Sequence, residues 1–145
     1  MLYSGDEIGQ LNDYSYREDP DKAVDSRYVH RGVFQWDLAK KRKDKESVQG
    51  KLFLTLQKLE KIRAKEPVFE ADANVYTYDV HNDSILCIMR EKDGERFFGI
   101  FNFSGSGQTA WMQEKGTFTD LFSGTCMELE NPVLPPHGFH WLKRQ

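Results

Sequence analysis

Two neighbouring carboxylates, Asp6 and Glu7, follow Leu2-Tyr3-Ser4-Gly5 and precede Ile8-Gly9. A pair of carboxyl groups can cleave a glycosidic bond: one attacks the anomeric carbon and the other protonates the leaving oxygen, with the two held about 5 Å apart in a retaining enzyme. Adjacent residues on a strand point to opposite faces, so Asp6 and Glu7 are badly placed for that work. Apolar residues, a glycine and then carboxylates suit instead the C-terminal end of a buried parallel strand, where barrel enzymes set polar groups toward substrate. There Asp6 and Glu7 would support the strand end and orient the loop beyond it. A parallel strand needs neighbours and a crossover of a dozen or more residues. No βαβ unit precedes this one, and the chain reads as a fragment of a larger catalytic domain.

The next groups able to do chemistry are Asp25, Arg27 and Arg31, within a long irregular stretch from Asp6 to Lys45 that is rich in Asp, Arg, Tyr and Gly. So polar a stretch must be held by neighbours or remain mobile. A guanidinium never loses its charge and forks onto a carboxylate or onto sugar hydroxyls. The ordinary alternative for either arginine is a surface ion pair. His30, His81, His137 and His140 lack metal-ligand spacing, and His137 and His140 read as packing or hydrogen-bonding residues. No metal and no cofactor is expected. Cys87 and Cys126 read as reduced, partly buried thiols on strands, without the Cys-x-x-Cys spacing of a redox or metal motif.

The basic run Lys40-Lys41-Arg42-Lys43-Asp44-Lys45 is broken by an acid and carries no interleaved aromatics, so it reads as a solvated face. A net charge of −3 and a pI near 5.8 give no pull toward nucleic acid or an anionic membrane. No apolar run is long enough to span a bilayer, and the first residues lack the features of a signal peptide. A cytoplasmic location is the expectation. Trp36, Trp111 and Trp141 could stack on sugars, although most aromatics on alternating strands are core.

The elements that must position these groups are legible. At 145 residues the chain has room for about one ordinary domain and is too short for a complete (β/α)8 barrel of roughly 200 residues or more. Val48, Leu52, Leu56, Leu59 and Ile62 fall at helical spacing, with Ser47 placed to cap the start and Pro67 to end the pattern. After Pro67 the period changes to two. Strands are expected at Val75–Val80, Ile85–Glu91, Arg96–Ser104, Thr109–Gln113, Phe118–Leu121, Thr125–Leu129 and Phe139–Lys143, separated by turn formers. Short, closely spaced strands argue for an antiparallel β-sandwich. The expected organisation is a barrel remnant over residues 1–66 and a β-sandwich domain over 67–145, giving a mainly β chain preceded by an irregular loop region and one amphipathic helix.

Three stretches in this order carry a family resemblance: Leu2-Tyr3-Ser4-Gly5-Asp6-Glu7-Ile8-Gly9-Gln10-Leu11-Asn12-Asp13, Asp25-Ser26-Arg27-Tyr28-Val29-His30-Arg31, and Gly99-Ile100-Phe101-Asn102-Phe103-Ser104. They resemble the C-terminal part of the alpha-amylase superfamily of retaining alpha-glucoside enzymes, and most closely its amylosucrase branch, which moves glucose from sucrose onto an alpha-glucan. The resemblance runs on through Pro136-His137-Gly138-Phe139-His140-Trp141-Leu142. It implies that residues 1–66 are the end of the eighth barrel strand, an active-site loop and the last barrel helix. The helix would then have to cover its apolar stripe with the missing N-terminal barrel, the following sheet or a second copy of the chain. Arg27, beside Asp25, would pair with an upstream carboxylate in the glucosyl pocket. In another register Arg31-Gly32-Val33-Phe34-Gln35-Trp36 resembles the Arg-x-Pro-Met-Gln-Trp motif of other alpha-glucosidases, which would put Arg31 on the sugar instead. The margin favours Arg27.

The resemblance implies a parent that transfers or hydrolyses glucosyl units, with sucrose and alpha-glucan as its carbohydrate partners. Its catalytic carboxylates lie on earlier strands, so none is assigned here and the chain alone should be inactive. The other reading is a free-standing carbohydrate-binding or interaction module, which an exposed row of aromatics on one sheet face would favour.

Overall fold

The computed structural model describes residues 2–145, and the chain divides into two compact units, Met1–Leu59 and Glu60–Gln145. The strands of the second unit all pair antiparallel. Strands β1 (Asn74–Thr77), β2 (Ile85–Lys92), β3 (Glu95–Asn102), β4 (Gln108–Thr109), β5 (Gly116–Asp120), β6 (Cys126–Leu129), β7 (Val133–Leu134) and β8 (Phe139–Arg144) form a six-stranded sheet, ordered β1-β2-β3-β8-β5-β6, and a β4-β7 ribbon. Between sheet and ribbon lies a core of Val80, Ile85, Cys87, Phe98, Ile100, Ala110, Met112, Phe118, Leu129, Leu134 and Leu142, with Tyr78, Met89 and Met127 packed against it. The alternation that predicted the strands is the alternation that fills this core.

Turn chemistry fixes the register. Lys92 pairs with Glu95 across Asp93 and Gly94, both at positive φ (52° and 83°). Asp-Gly adopts such a two-residue turn with the twist that neighbouring strands require. At the opposite end of β3, the buried Asn102 closes three segments. Its Nδ2 donates to the carbonyls of Ser106 (2.8 Å) and Pro135 (2.9 Å), while its Oδ1 accepts from the Ser104 backbone N–H (2.9 Å) and hydroxyl (2.8 Å). Ahead of the sheet, Arg90 donates to the carbonyls of Val68 and Glu70, fastening the 3-10 turn Pro67–Phe69.

Several expectations need correction. The strand expected over Thr109–Gln113 shrinks to Gln108–Thr109, and its partner Val133–Leu134 is a strand the sequence did not announce, hidden between Pro132 and Pro135. The Val75–Val80 strand stops at Thr77, yet Val80 is still a core residue. Cys87 is buried as expected, whereas Cys126 is exposed on β6, and both thiols are free.

In the first unit, Leu2 and Tyr3 form no strand. A turn leads directly into a 3-10 helix at Asp6–Ile8. A parallel strand depends on neighbours to pair its backbone, and residues 2–59 supply none. Further 3-10 turns at Ser15–Glu18 and Ser26–His30 and a short helix α1 (Trp36–Lys40) lead to helix α2 (Val48–Arg63). Ser47 caps α2 as its position predicts: its Oγ accepts the Gly50 N–H at 2.9 Å. The apolar stripe is not buried. Gly50 is the helix's buried residue, and Val48 and Leu52 are 64% and 39% exposed.

Candidate functional site

The site is built on the irregular part of the first unit, where hydrogen bonds do the positioning that strands do elsewhere. Asp6 and Glu7 cap their own turn: Asp6 Oδ2 accepts the Tyr3 N–H and Glu7 Oε2 accepts the Gly5 N–H, both at 2.9 Å. On a 3-10 helix the two carboxylates do not alternate as strand neighbours would, but each is engaged by local backbone. Their geometry braces this turn, where the sequence led to the expectation of a strand end.

The following loop is laced back onto this turn. Gln10 donates from Nε2 to the Val33 carbonyl and accepts the Gln35 N–H on Oε1, each at 3.0 Å. The Asp13 N–H reaches the Val29 carbonyl at 2.9 Å, and His30 Nδ1 lies 3.1 Å from Asn12 Oδ1. Tyr3 stacks on the His30 ring with centroids 5.7 Å apart. Together Tyr3, Asp6, Gln10, Asn12 and His30 line a polar cavity of about 20 Å³, room for about one water. Sequence reasoning assigned no role to Gln10, Asn12 or Tyr3. Their polar character was visible within the first quoted motif, but their partners lie about twenty residues away.

Asp25 and Arg27 form a fork. Asp25 caps the 3-10 turn Ser26–His30 by accepting the Arg27 backbone N–H at 3.0 Å, while Arg27 Nε and Nη2 donate to its two oxygens at 2.8 Å each. These bonds from Arg27, aided by the positive charge of Arg31, pull the Asp25 carboxyl down to about 2. The Arg27 side chain stays 75% exposed. Arg31 is also exposed, with its guanidinium 5.2 Å from the centre of the Tyr28 ring. Asp25, Arg27 and Arg31 therefore share one charged patch. Among the described residues no hydrogen bond or ion pair joins them to Asp6 or Glu7.

Beside this loop Trp36 is 73% exposed and meets Phe34 edge to face at 4.8 Å. With Ile8, Ala39 and Phe53 they line an open recess of about 440 Å³, rimmed by Glu7, Lys40 and Arg42. Among the described residues there is no group of three or more His, Cys, Asp or Glu placed to hold a metal ion, and no helix is long and apolar enough to cross a membrane.

In the second unit, His140 is a hydrogen-bonding residue. Its Nδ1 lies 2.7 Å from Oδ2 of the buried Asp120, whose Oδ1 takes the Phe122 and Ser123 N–H groups. The aromatics on the outer sheet face pack on one another: Trp141 on Phe69 and Phe97, and Phe139 on Phe101 and Phe122. None of these rings is exposed. The open aromatic row that would mark a free-standing binding module is not formed on that face.

No protein-family model matches the chain. Solved structures do. A variant of the trehalulose synthase MutB in complex with the substrate sucrose superposes with a TM-score of 0.73 at 16% identity, over 98% of this chain and 35% of that one. MutB from Pseudomonas mesoacidophila MX-45 itself gives a TM-score of 0.57 at 18% identity, over 73% and 19%. The alpha-glucosyl transfer enzyme XgtA gives 0.68 at 15%, over 99% and 32%, and the maltogenic amylase from S. marinus 0.62 at 19%, over 99% and 17%. These neighbours are alpha-amylase-family enzymes, and at such identities the likeness is one of fold. The antiparallel β domain expected from the resemblance is observed, and these neighbours share the fold. The chain spans about a fifth to a third of the length of most of these neighbours.

Proposed function

We propose that this chain is the C-terminal part of a retaining alpha-glucoside enzyme of the amylosucrase kind, which takes glucosyl units from sucrose and passes them to an alpha-glucan or to water. In this reading residues 1–66 complete a barrel and residues 67–145 are its β-sandwich domain. Arg27, or in the alternative register Arg31, faces the glucosyl unit. Asp25 orients Arg27, and Asp6 and Glu7 hold the turn from which the loop departs. The catalytic carboxylates belong to preceding sequence, so the chain alone is inactive.

The observation that carries this reading is the state of the first unit: an ordered, hydrogen-bonded loop on almost no core. Ile8 and Ala39 are its buried apolar side chains, while Leu11, Val24, Val33, Trp36 and Val48 are between 64% and 91% exposed. A free-standing module has no use for so much open apolar surface, whereas a barrel packed on it would cover it. Without the barrel, a second copy of the chain is the next cover available. Two free thiols fit a reducing, cytoplasmic setting.

The test is to assay the parent enzyme, its Arg27→Ala and Arg31→Ala variants and the 145-residue chain on sucrose, following glucose release and glucan formation separately. The expected result is turnover by the parent, at least about a hundredfold loss in Arg27→Ala, as for a lost charge-assisted contact in the transition state, and none in the isolated chain. An unaffected Arg27→Ala with an inactive Arg31→Ala moves the sugar contact to Arg31. No action on sucrose by the parent overturns the donor assignment.

A further inference from the structure

The two edges of the six-stranded sheet are finished differently. The β6 edge carries Glu128, which accepts from the Thr117 hydroxyl at 2.6 Å, and Glu130 follows it. Charges on an edge discourage another strand from pairing there. On β1 all four residues, Asn74, Val75, Tyr76 and Thr77, are uncharged and exposed, with Val75 at 56% and Tyr76 at 48%. That edge has no guard.

The ladder decides which backbone groups the β1 edge offers. Asn74, Val75, Tyr76 and Thr77 face Glu91, Arg90, Met89 and Ile88, and in the same register the Tyr78 N–H donates to the Cys87 carbonyl at 2.9 Å. Hydrogen-bonded and non-hydrogen-bonded pairs alternate along an antiparallel ladder. Asn74 and Tyr76 therefore turn their backbone groups to β2, while Val75 and Thr77 turn theirs outward. No backbone hydrogen bond outside the ladder reaches Val75 or Thr77 among the described residues. The open stretch is bounded at both ends: the Ala73 N–H already donates to the Glu70 carbonyl (3.2 Å), and the Val80 carbonyl takes the Trp111 N–H (3.1 Å).

A strand added antiparallel to this edge must set outward-facing residues against outward-facing residues. For a second copy of β1 related by a two-fold axis, the axis can pass through position 75, 76 or 77. At 75, Thr77 would need the Ala73 N–H, which is engaged; at 77, Val75 would meet Asp79, beyond the end of the strand. At 76, Val75 meets the partner's Thr77 and Thr77 meets the partner's Val75, which makes four N–H to C=O bonds from two residues a side. We propose that the β1 edge pairs in this register with the β1 edge of a second copy of the chain, joining two six-stranded sheets into one. The β-branched Val75 and Thr77 then pair on one face and Tyr76 meets the partner's Tyr76 on the other, cross-strand contacts of the kind that stabilise sheets. No charge enters the paired stretch. A patch that pairs with itself closes at two copies. Three residues a side bury less than the roughly 1,200 Å² of a stable specific interface, so the dimer depends on concentration.

The experiment is analytical ultracentrifugation of the 145-residue chain over a roughly thousandfold range of concentration, comparing wild type with Tyr76→Lys and Thr77→Pro. Wild type should pass from monomer to dimer. Tyr76→Lys sets like charges opposite each other at the axis. Thr77→Pro removes an outward N–H from each copy, hence two of the four bonds, at an edge position where proline is tolerated. Each should raise the dissociation constant at least about tenfold, with the circular dichroism of wild type. The register is read by oxidative cross-linking of Tyr76→Cys and Asn74→Cys, both in a Cys126→Ser background. Position 76 meets itself as a non-hydrogen-bonded pair, with Cα atoms about 4.5 Å apart, within disulfide reach, and should cross-link; position 74 meets the partner's Tyr78 and should not. A wild type that stays monomeric overturns the proposal, as does growth beyond the dimer. Dimers unchanged in Tyr76→Lys and Thr77→Pro also overturn it, because association then runs through the exposed apolar residues of the first unit. Equal cross-linking of the two cysteine variants overturns the register. If Tyr76→Lys fails to fold, Thr77→Pro and the cysteine variants decide by the same readouts.

Discussion

Asp25 takes three N–H groups from a single residue, the Arg27 backbone and two guanidinium nitrogens. Its carboxyl is depressed, so the fork is present above the usual carboxylate range and is lost as pH falls through about 2. An NMR titration should find the Asp25 midpoint near 2 in the chain and back in the ordinary range in Arg27→Gln; the same midpoint in both would show that the fork is absent in solution. Burial pushes the Cys87 thiol up to about 12 while Cys126 is exposed. A native sample should therefore label at Cys126 alone with an alkylating reagent and at both thiols in urea. Asn102→Ala should cost about 3 kcal/mol in urea unfolding of the β unit, because it removes at once the hydrogen bonds that a buried side chain makes to Ser104, Ser106 and Pro135. Of these residues, Asp25 and Arg27 were legible because their bond is local. Asn102 sat in a quoted motif, but its role depends on Pro135, which only the folded chain brings near.

At the scale of elements, the strands were easier to read than the helix. A β-strand whose face is buried shows its alternation directly, and Asp93-Gly94 announces the hairpin. Strand β7 was missed because two paired residues give no period and prolines flank it. For α2 the spacing found the helix and Ser47 its start, yet no covering face could be inferred from spacing. The start of α2 depends on closeness: a Cβ on Gly50 would sit 1.8 Å from the Asp44 carbonyl oxygen. Gly50→Ala should force these backbones apart at a cost of about 3 kcal/mol, seen as faster amide exchange over residues 48–55; unchanged exchange would mean that the turn at Asp44 yields freely.

For the whole molecule, the contrast is between a unit with a continuous core and one with almost none. Hydrogen exchange should show slow amides in β2, β3 and β8 and fast ones through residues 6–45, and uniform protection would refute the difference. The fold class was legible because periodicity reports burial. The barrel-strand reading of Leu2-Tyr3-Ser4 was not realised, since a parallel strand exists only through its neighbours. The sheet order carries a further consequence. Strand β8 lies between β3 and β5, so the last strand in sequence is the middle of the sheet, and Leu142 on it is fully buried. Until residues 139–144 leave the ribosome, β1-β2-β3 and β5-β6 are two separate ribbons with open edges. Synthesis of this unit thus ends with its keystone, and a nascent chain stalled just short of Phe139 would expose two sticky edges to chaperones and to other chains.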